Sequence, residues 1–217
     1  GDLICNGHIY LVNPNGILVG PNGKVDVAGC VFSTLDVHDE LFKQANSELI
    51  FKGNTKEGII NLGTIKASDG DIALISFQVT NEGNLLSPLG SVYLTSANDV
   101  LLKPSGDDRI FIRAKINEKE KSDVGIDQKG NIDAMKAYLQ ANGNPYEVAI
   151  KHSGKTKTLG IKEKNGKFYL FADEGNAKIS GEISSKNENA GGEINIFGNT
   201  LLVEEASLDV SHPNGGG

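Results

Sequence analysis

The sequence predicts an all-β chain wound into a solenoid of stacked parallel coils, a parallel β-helix, with one short helical insertion. Three observations predict it. Residues 61–74 and 81–94 repeat each other with a step of 20 at every matched position: Asn61/Asn81, Gly63/Gly83, Ile65/Leu85, Ala67/Ser87, Gly70/Gly90, Ile72/Val92 and Leu74/Leu94. Within each copy apolar residues alternate, as in Ile65 and Ala67 and then Ile72 and Leu74, which turns one face of each short strand inward. The composition agrees: 27 Gly and 21 Asn in 217 residues, with 6% aromatics and no Trp, suit a chain that turns often. A period this short leaves no room for a helical crossover, but it fits one coil of a solenoid.

Along the chain, Tyr10-Leu11-Val12 and Ile17-Leu18-Val19 read as strands on either side of a turn. In that turn Pro14 presets φ near about −65°, Asn15 tolerates left-handed geometry and Gly16 accepts positive φ. The repeated coils then place Asn61, Gly63, Asn81 and Gly83 at corners, where glycine makes positive φ inexpensive. Coils stacked about 4.8 Å apart would set Asn61 over Asn81 as a side-chain amide ladder. Looser copies start at Gly23, Gly130, Gly154, Gly181 and Ala206, and Ile179 interrupts any such ladder. The segment 133–150 departs from this pattern. Ala134, Ala137, Tyr138 and Ala141 share one helical face and Gly143 stands ready to close it, which predicts a helix of two to three turns. Lys162 to Leu170, around Asn165-Gly166, reads as a local hairpin, and six Asn-Gly pairs keep an antiparallel sandwich as the rival fold.

Charge and motif spacing exclude several functions. The net charge is −7 and Arg109 and Arg113 are the only arginines, while the basic stretch Lys115 to Lys121 is interleaved with Glu118 and Glu120, so no nucleic-acid partner is expected. No run approaches the ~18 apolar residues of a membrane helix, and the chain is not expected to span a membrane. Cys5 and Cys30 lie in apolar surroundings without CxxC spacing, which favours two small buried thiols over one disulfide. His8, His38, His152 and His212 are scattered, without HExxH or HxH pairs, so neither a metal nor a cofactor is expected. Asp69 and Asp71 share one side of a corner. Asp107 and Asp108, beside Arg109, would point to opposite faces of an extended segment and read better as a polar loop. His152-Ser153 and Ser211-His212 lack a third group, and no active site is specified.

The stretch Asn6 to Gly20, with Asn13-Pro14-Asn15-Gly16-Ile17 at its centre, resembles the filamentous haemagglutinin family of exoproteins exported by bacterial two-partner secretion. So do the Ser33-Thr34-Leu35-Asp36 element, the coils at 61–67 and the Asp209-Val210-Ser211 stretch ending in Gly215-Gly216-Gly217. The resemblance implies a right-handed parallel β-helix. It also implies a dedicated outer-membrane transporter as partner, a secreted or cell-surface location, and an adhesin role toward a host glycan or surface protein. Asn13 to Ile17 would be the secretion motif. On this reading 1–96 is the remaining part of the secretion domain, 97–132 a further coil with a charged loop, 133–150 the helical insertion, and 151–217 further coils running into a trunk. Two other functions stay open: the stalk of a contact-dependent toxin or haemolysin, and a carbohydrate-active β-helix enzyme. Gly1 stands where the family has a leader and earlier coils, which predicts a chain that begins inside its domain. Open coil ends expose strand edges, so self-association is expected.

Overall fold

The computed structural model describes residues 1–37, 48–104, 109–113, 122–143, 145–161 and 165–214. Strands of three to five residues cannot hold together alone, and here they stack in parallel on their counterparts in neighbouring coils. The first stack runs β1 (Asp2–Ile4), β4 (Lys24–Val27), β9 (Thr64–Ala67), the start of β12 (Asn84–Ser96), the start of β16 (Asn131–Asn142), β18 (Lys155–Leu159) and the ends of β19 (Lys167–Lys186) and β20 (Glu193–Asp209). The second contains β2 (His8–Val12), β5 (Gly29–Ser33), β10 (Ile72–Ser76), the later parts of β12 and β16, and the starts of β19 and β20. The third contains β3 (Ile17–Val19), β8 (Gly58–Asn61), β11 (Gln78–Asn81), β15 (Ser122–Gln128), β17 (Tyr146–His152) and the middles of β19 and β20. The chain visits the three stacks in turn, which makes a parallel β-helix.

The register explains the core. Val25, Ile65, Leu85 and Ile132 lie one above another in the first stack, and Cys30, Ile72, Val92, Ala137 and Phe168 do so in the second. All of them face the interior and are buried in one cluster with Ile59, Val79, Ile126 and Ile150 of the third stack. Fully burying each aliphatic side chain is worth about 1.5–3 kcal/mol.

Steps between coils are uneven. Asn61 and Asn81 are 20 residues apart, whereas Asp26 and Lys66 are 40 apart and Asn84 and Asn131 are 47 apart. The longer steps hold segments that leave the helix. β6 (Asp36–Val37) and β7 (Leu49–Lys52) lie in one; β13 (Asp99–Leu102) and β14 (Ile110–Ile112) lie in the other. They meet as an antiparallel sheet in the order β14-β13-β7-β6. Its Phe51, Val100, Leu102 and Ile110 cover Val31, Ala73, Ile75, Tyr93 and Tyr138, which point outward from the second stack. That stack is therefore apolar on both faces.

Three expectations are corrected here. The described residues of the segment 133–150 form no helix: β16 carries it through a corner and β17 follows. Ala134, Ala137 and Ala141 face the interior while Tyr138 faces the outer sheet, so two dry faces produced the spacing of one helical stripe. No hairpin folds back at 167–170, which pairs in parallel with β16 and β20; residues 162–164 lie outside the described residues. Both cysteines are free thiols, but only Cys30 is buried, where the loss of hydration pushes its pKa up to about 12. Cys5 is exposed because the strand it follows, β1, is the outermost of its stack and is paired on one side only.

Candidate functional site

The corner between β2 and β3 is built by its own side chains. Asn13 Oδ1 accepts from the Asn15 N–H at 3.2 Å, its Nδ2 donates to the Gly16 carbonyl at 3.0 Å, and the Gly16 N–H closes the turn on the Asn13 carbonyl at 3.1 Å. These bonds make an Asx turn nested in a β-turn. The left-handed residue is Gly16, with φ 98°, and not Asn15. Pro14 and Asn15 stay exposed, while Ile17 turns into the core opposite Ile59.

The structure brings the two sequence motifs together. Val12 pairs with Ser33, and the Asn13 N–H donates to the Ser33 carbonyl at 2.9 Å, so the Asn13–Ile17 turn lies directly against Ser33-Thr34-Leu35-Asp36 of the next coil. Ser33 Oγ accepts from the Leu35 N–H at 3.0 Å and Leu35 is fully buried, which fixes the bend where the chain leaves for β6. Thr34 Oγ1 donates to the Glu57 carbonyl at 3.2 Å and Thr55 Oγ1 to the Pro14 carbonyl at 2.9 Å, so the returning chain is tied to both motifs. Around this corner Leu11, Leu18 and Ile60 remain exposed, Leu18 at 66%. Leu11 lies beside interior Phe32 at the open end of the second stack, whereas Leu18 and Ile60 are paired on the outer face of the third.

The other corner carries Asn61, Gly63, Asn81 and Gly83. Asn61 Nδ2 donates to Asn81 Oδ1 at 2.8 Å, Asn81 Nδ2 donates to Gln128 Oε1 at 2.8 Å, and Gln128 Nε2 ends on the Gly130 carbonyl at 2.9 Å. All three amides are buried. His152 takes the next place, its ring nitrogens 3.2 Å from the Ser180 carbonyl and 2.9 Å from Thr156 Oγ1, and Ile179 follows it in register. Burial pushes the His152 pKa down, partly opposed by the Ser180 carbonyl. Gln128 and His152 are ladder positions that sequence reading missed. The signal was present: each stands two residues before a corner glycine, as Asn61 and Asn81 do. Those glycines stack so closely that a Cβ on Gly83 would overlap the Gly63 carbonyl, and one on Gly130 the Gly83 carbonyl.

Of the four carboxylates singled out in the sequence, the described residues include two. Asp71 pairs with Arg109 and accepts from the Ser91 N–H at 2.8 Å, pinning the outer sheet to the helix, while Asp69 is exposed. Asp107, Asp108 and His38 lie outside the described residues. His8 packs where a Cβ on Gly29 or Gly70 would strike its ring, and His212 is half-buried near the end of the described residues. Among the described residues no three His, Cys, Asp or Glu side chains gather as a metal site, and no helix is long and apolar enough to cross a membrane.

The chain is thus a parallel β-helix whose first corners stack Asn13-Pro14-Asn15-Gly16-Ile17 on Ser33-Thr34-Leu35-Asp36. The chain belongs to the TPS secretion domain family, whose profile matches residues 1–212. Members are parts of exoproteins exported by two-partner secretion with an outer-membrane transporter, and these exoproteins are secreted or surface-associated. Two heme/hemopexin-binding proteins of Haemophilus influenzae are similar, each 29% identical, over 87% and 91% of this chain. The chain spans 21% and 23% of their lengths. The HMW1 secretion domain from Haemophilus influenzae is a structural neighbour, with TM-score 0.68 and 28% identity over 94% of this chain and 54% of that one.

Proposed function

We propose that this chain is the export and display module of a non-catalytic, adhesin-type exoprotein. The corner formed by Asn13–Ile17 engages the transporter, and the coils then hold an attachment surface away from the cell. The observation that carries this reading is the contact between the two motifs, in which the exposed Asn13–Asn15 turn is held by the Asn13 N–H on the carbonyl of buried Ser33. The enzyme reading has less support, since the Asp71 carboxylate is held in an ion pair by Arg109. The toxin-stalk reading concerns sequence beyond these 217 residues.

Export tests the proposal. The chain is placed behind a secretory leader, with and without its two-partner transporter, and protein in the medium is measured. Transporter-dependent release is expected, and it should fall at least tenfold when Asn13→Ala and Gly16→Val are combined. Equal release without the transporter, or from that variant, would refute the transporter role. The parent exoprotein on cells should also attach to an epithelial layer; failure to attach refutes the adhesin role. A second reading takes haem or hemopexin binding from the relatives' names. A haem titration of this chain that shows no Soret shift would place that activity outside it.

A further inference from the structure

A solenoid is held by contacts between neighbouring coils, so an end coil is the first to open. Here β1, β2 and β3 form the first coil, and each is paired on one side only. The Asn13–Ile17 turn belongs to this coil, yet it is rooted in the apolar cluster beneath the outer sheet. Val12, the residue before the turn, packs against that cluster, and Leu35 of the second motif is fully buried within it. Ser33 joins the two: its Oγ donates to the Leu35 carbonyl at 2.8 Å, and its carbonyl takes the Asn13 N–H.

The outer sheet is closed from far along the chain. β6 and β7 follow the second motif, but β7 finds its partner β13 only after the coil that carries β8 to β12. Three ties hold this closure. Asp99 of β13, 7% exposed, lies 3.5 Å from Lys52 Nζ of β7 and 3.4 Å from the Arg113 guanidinium, so one carboxylate ties β7 and β13 to the residue that follows β14. The Gly53 N–H donates to the Asn98 carbonyl at 3.0 Å, and Gly53 lies so near that a Cβ on it would touch Leu35. Arg109 pairs with Asp71 of the coil beneath. The only two arginines of the sequence thus both serve this closure. Guanidinium suits it, because it stays charged and presents a fork of donors to a carboxylate.

We propose that the outer sheet is a strap that assembles the secretion-motif corner: Asn13–Ile17 stays docked on Ser33–Asp36 only while β13 is paired on β7, and Asp99 and Arg113 act as positioning residues for it. The path is continuous. Opening β13 from β7 uncovers Phe51, Val100 and Leu102, removes the packing of Leu35 and Val12, and frees Ser33 to release Asn13. Strap and corner therefore share two states, assembled or open. A mere cover would behave differently, shielding Tyr93 and Tyr138 while the first coil frays by itself. The inference deepens the export reading above, and rests on it, by naming what controls the transporter-facing corner.

Native-state hydrogen exchange of the 217-residue chain, read at single amides by NMR, tests it. Asp99→Asn removes both ion pairs and keeps the shape of the side chain. It should speed exchange of the Asn13 amide, and of the Thr34 amide that donates to the Ile75 carbonyl, by at least about tenfold. The Gly53 amide of the strap should rise by the same factor. The Glu182 amide, bonded to the Gly154 carbonyl near the other end of the solenoid, should change less than about twofold. Arg113→Gln loses one of the two pairs and should give about threefold at the same amides, so the test stands even if Asp99→Asn fails to fold. A rise at Gly53 with Asn13 and Thr34 unchanged overturns the proposal. So does an equal rise at Glu182, which would mean global unfolding in place of a strap. This readout needs no transporter. Coupled exchange together with transporter-independent release would refute the export reading and leave the strap; uncoupled exchange with transporter-dependent release would do the reverse.

Discussion

The first and second stacks are built from the same coils but solve different problems. The outward side chains of the first stack meet water and pair in rows: Lys66 with Asp26 at 3.4 Å, Asn131 Nδ2 with Asn84 Oδ1 at 2.9 Å, Lys155 with Glu182 at 2.6 Å. Those of the second stack, Val31, Ala73, Tyr93 and Tyr138, are buried beneath the antiparallel sheet. A strand with one wet face advertises itself by alternation. A strand with two dry faces loses that marker, because nothing polar separates its apolar residues.

The comparison can be broken most directly at Tyr138. It is 1% exposed and stacked on Tyr93, so Tyr138→Ala should cost about 3–5 kcal/mol in urea unfolding. Lys157→Ala on the wet face should change stability by about 0.5 kcal/mol or less. Equal costs would mean that the outer sheet does not pack on the second stack in solution.

The buried amide ladder gives the next largest contrast. Asn81→Ala leaves Asn61 Nδ2 and Gln128 Oε1 without their partner and should cost roughly 2–4 kcal/mol. Asn131→Ala removes an exposed amide pair and should cost under about 1 kcal/mol by the same assay. Similar values for the two would remove the distinction between inner ladder and surface row.

Acid should act on the corner below that ladder. The folded-state pKa of His152 is lowered by burial, so below an unfolded value of about 6.5 the unfolded chain takes up a proton that the fold resists. Its contribution is whole above that pH and is lost as pH falls toward the lower folded-state value. Wild-type Tm should therefore drop from pH 7 downward more steeply than that of His152→Gln; parallel profiles would refute the linkage. The smallest effect concerns reactivity. Maleimide should label exposed Cys5 readily in the native protein and Cys30 only on unfolding, since its thiol is buried with a pKa of about 12. Mass spectrometry of the singly labelled product checks this.

What was legible in the sequence follows the same division. The step from Asn61 to Asn81 and the inward Ile65, Ala67, Ile72 and Leu74 were readable because the coil between them carries no insertion and each position repeats on the next. Gln128 and His152 were not recognised as ladder positions, since their coils come after longer or unequal steps and their chemistry differs from Asn. At 133–142 the alanines and Tyr138 imitated a helix, and only the cover of Phe51, Val100 and Ile110 explains why Tyr138 points outward and still avoids water. The Asn13–Ile17 turn was readable as a turn. Its contact with Ser33 was not, because it joins two coils.

The sequence by itself determined the coil. Glycine at the corners, alternating apolar residues and an amide where strands stack are local requirements of closely spaced backbones, and each leaves its mark within a few residues. Only the tertiary structure decided what covers the second stack and where that cover ends. Those facts depend on β6 and β7 meeting β13 and β14 across an intervening coil, and side chains brought together over such distances carry no common spacing in the chain.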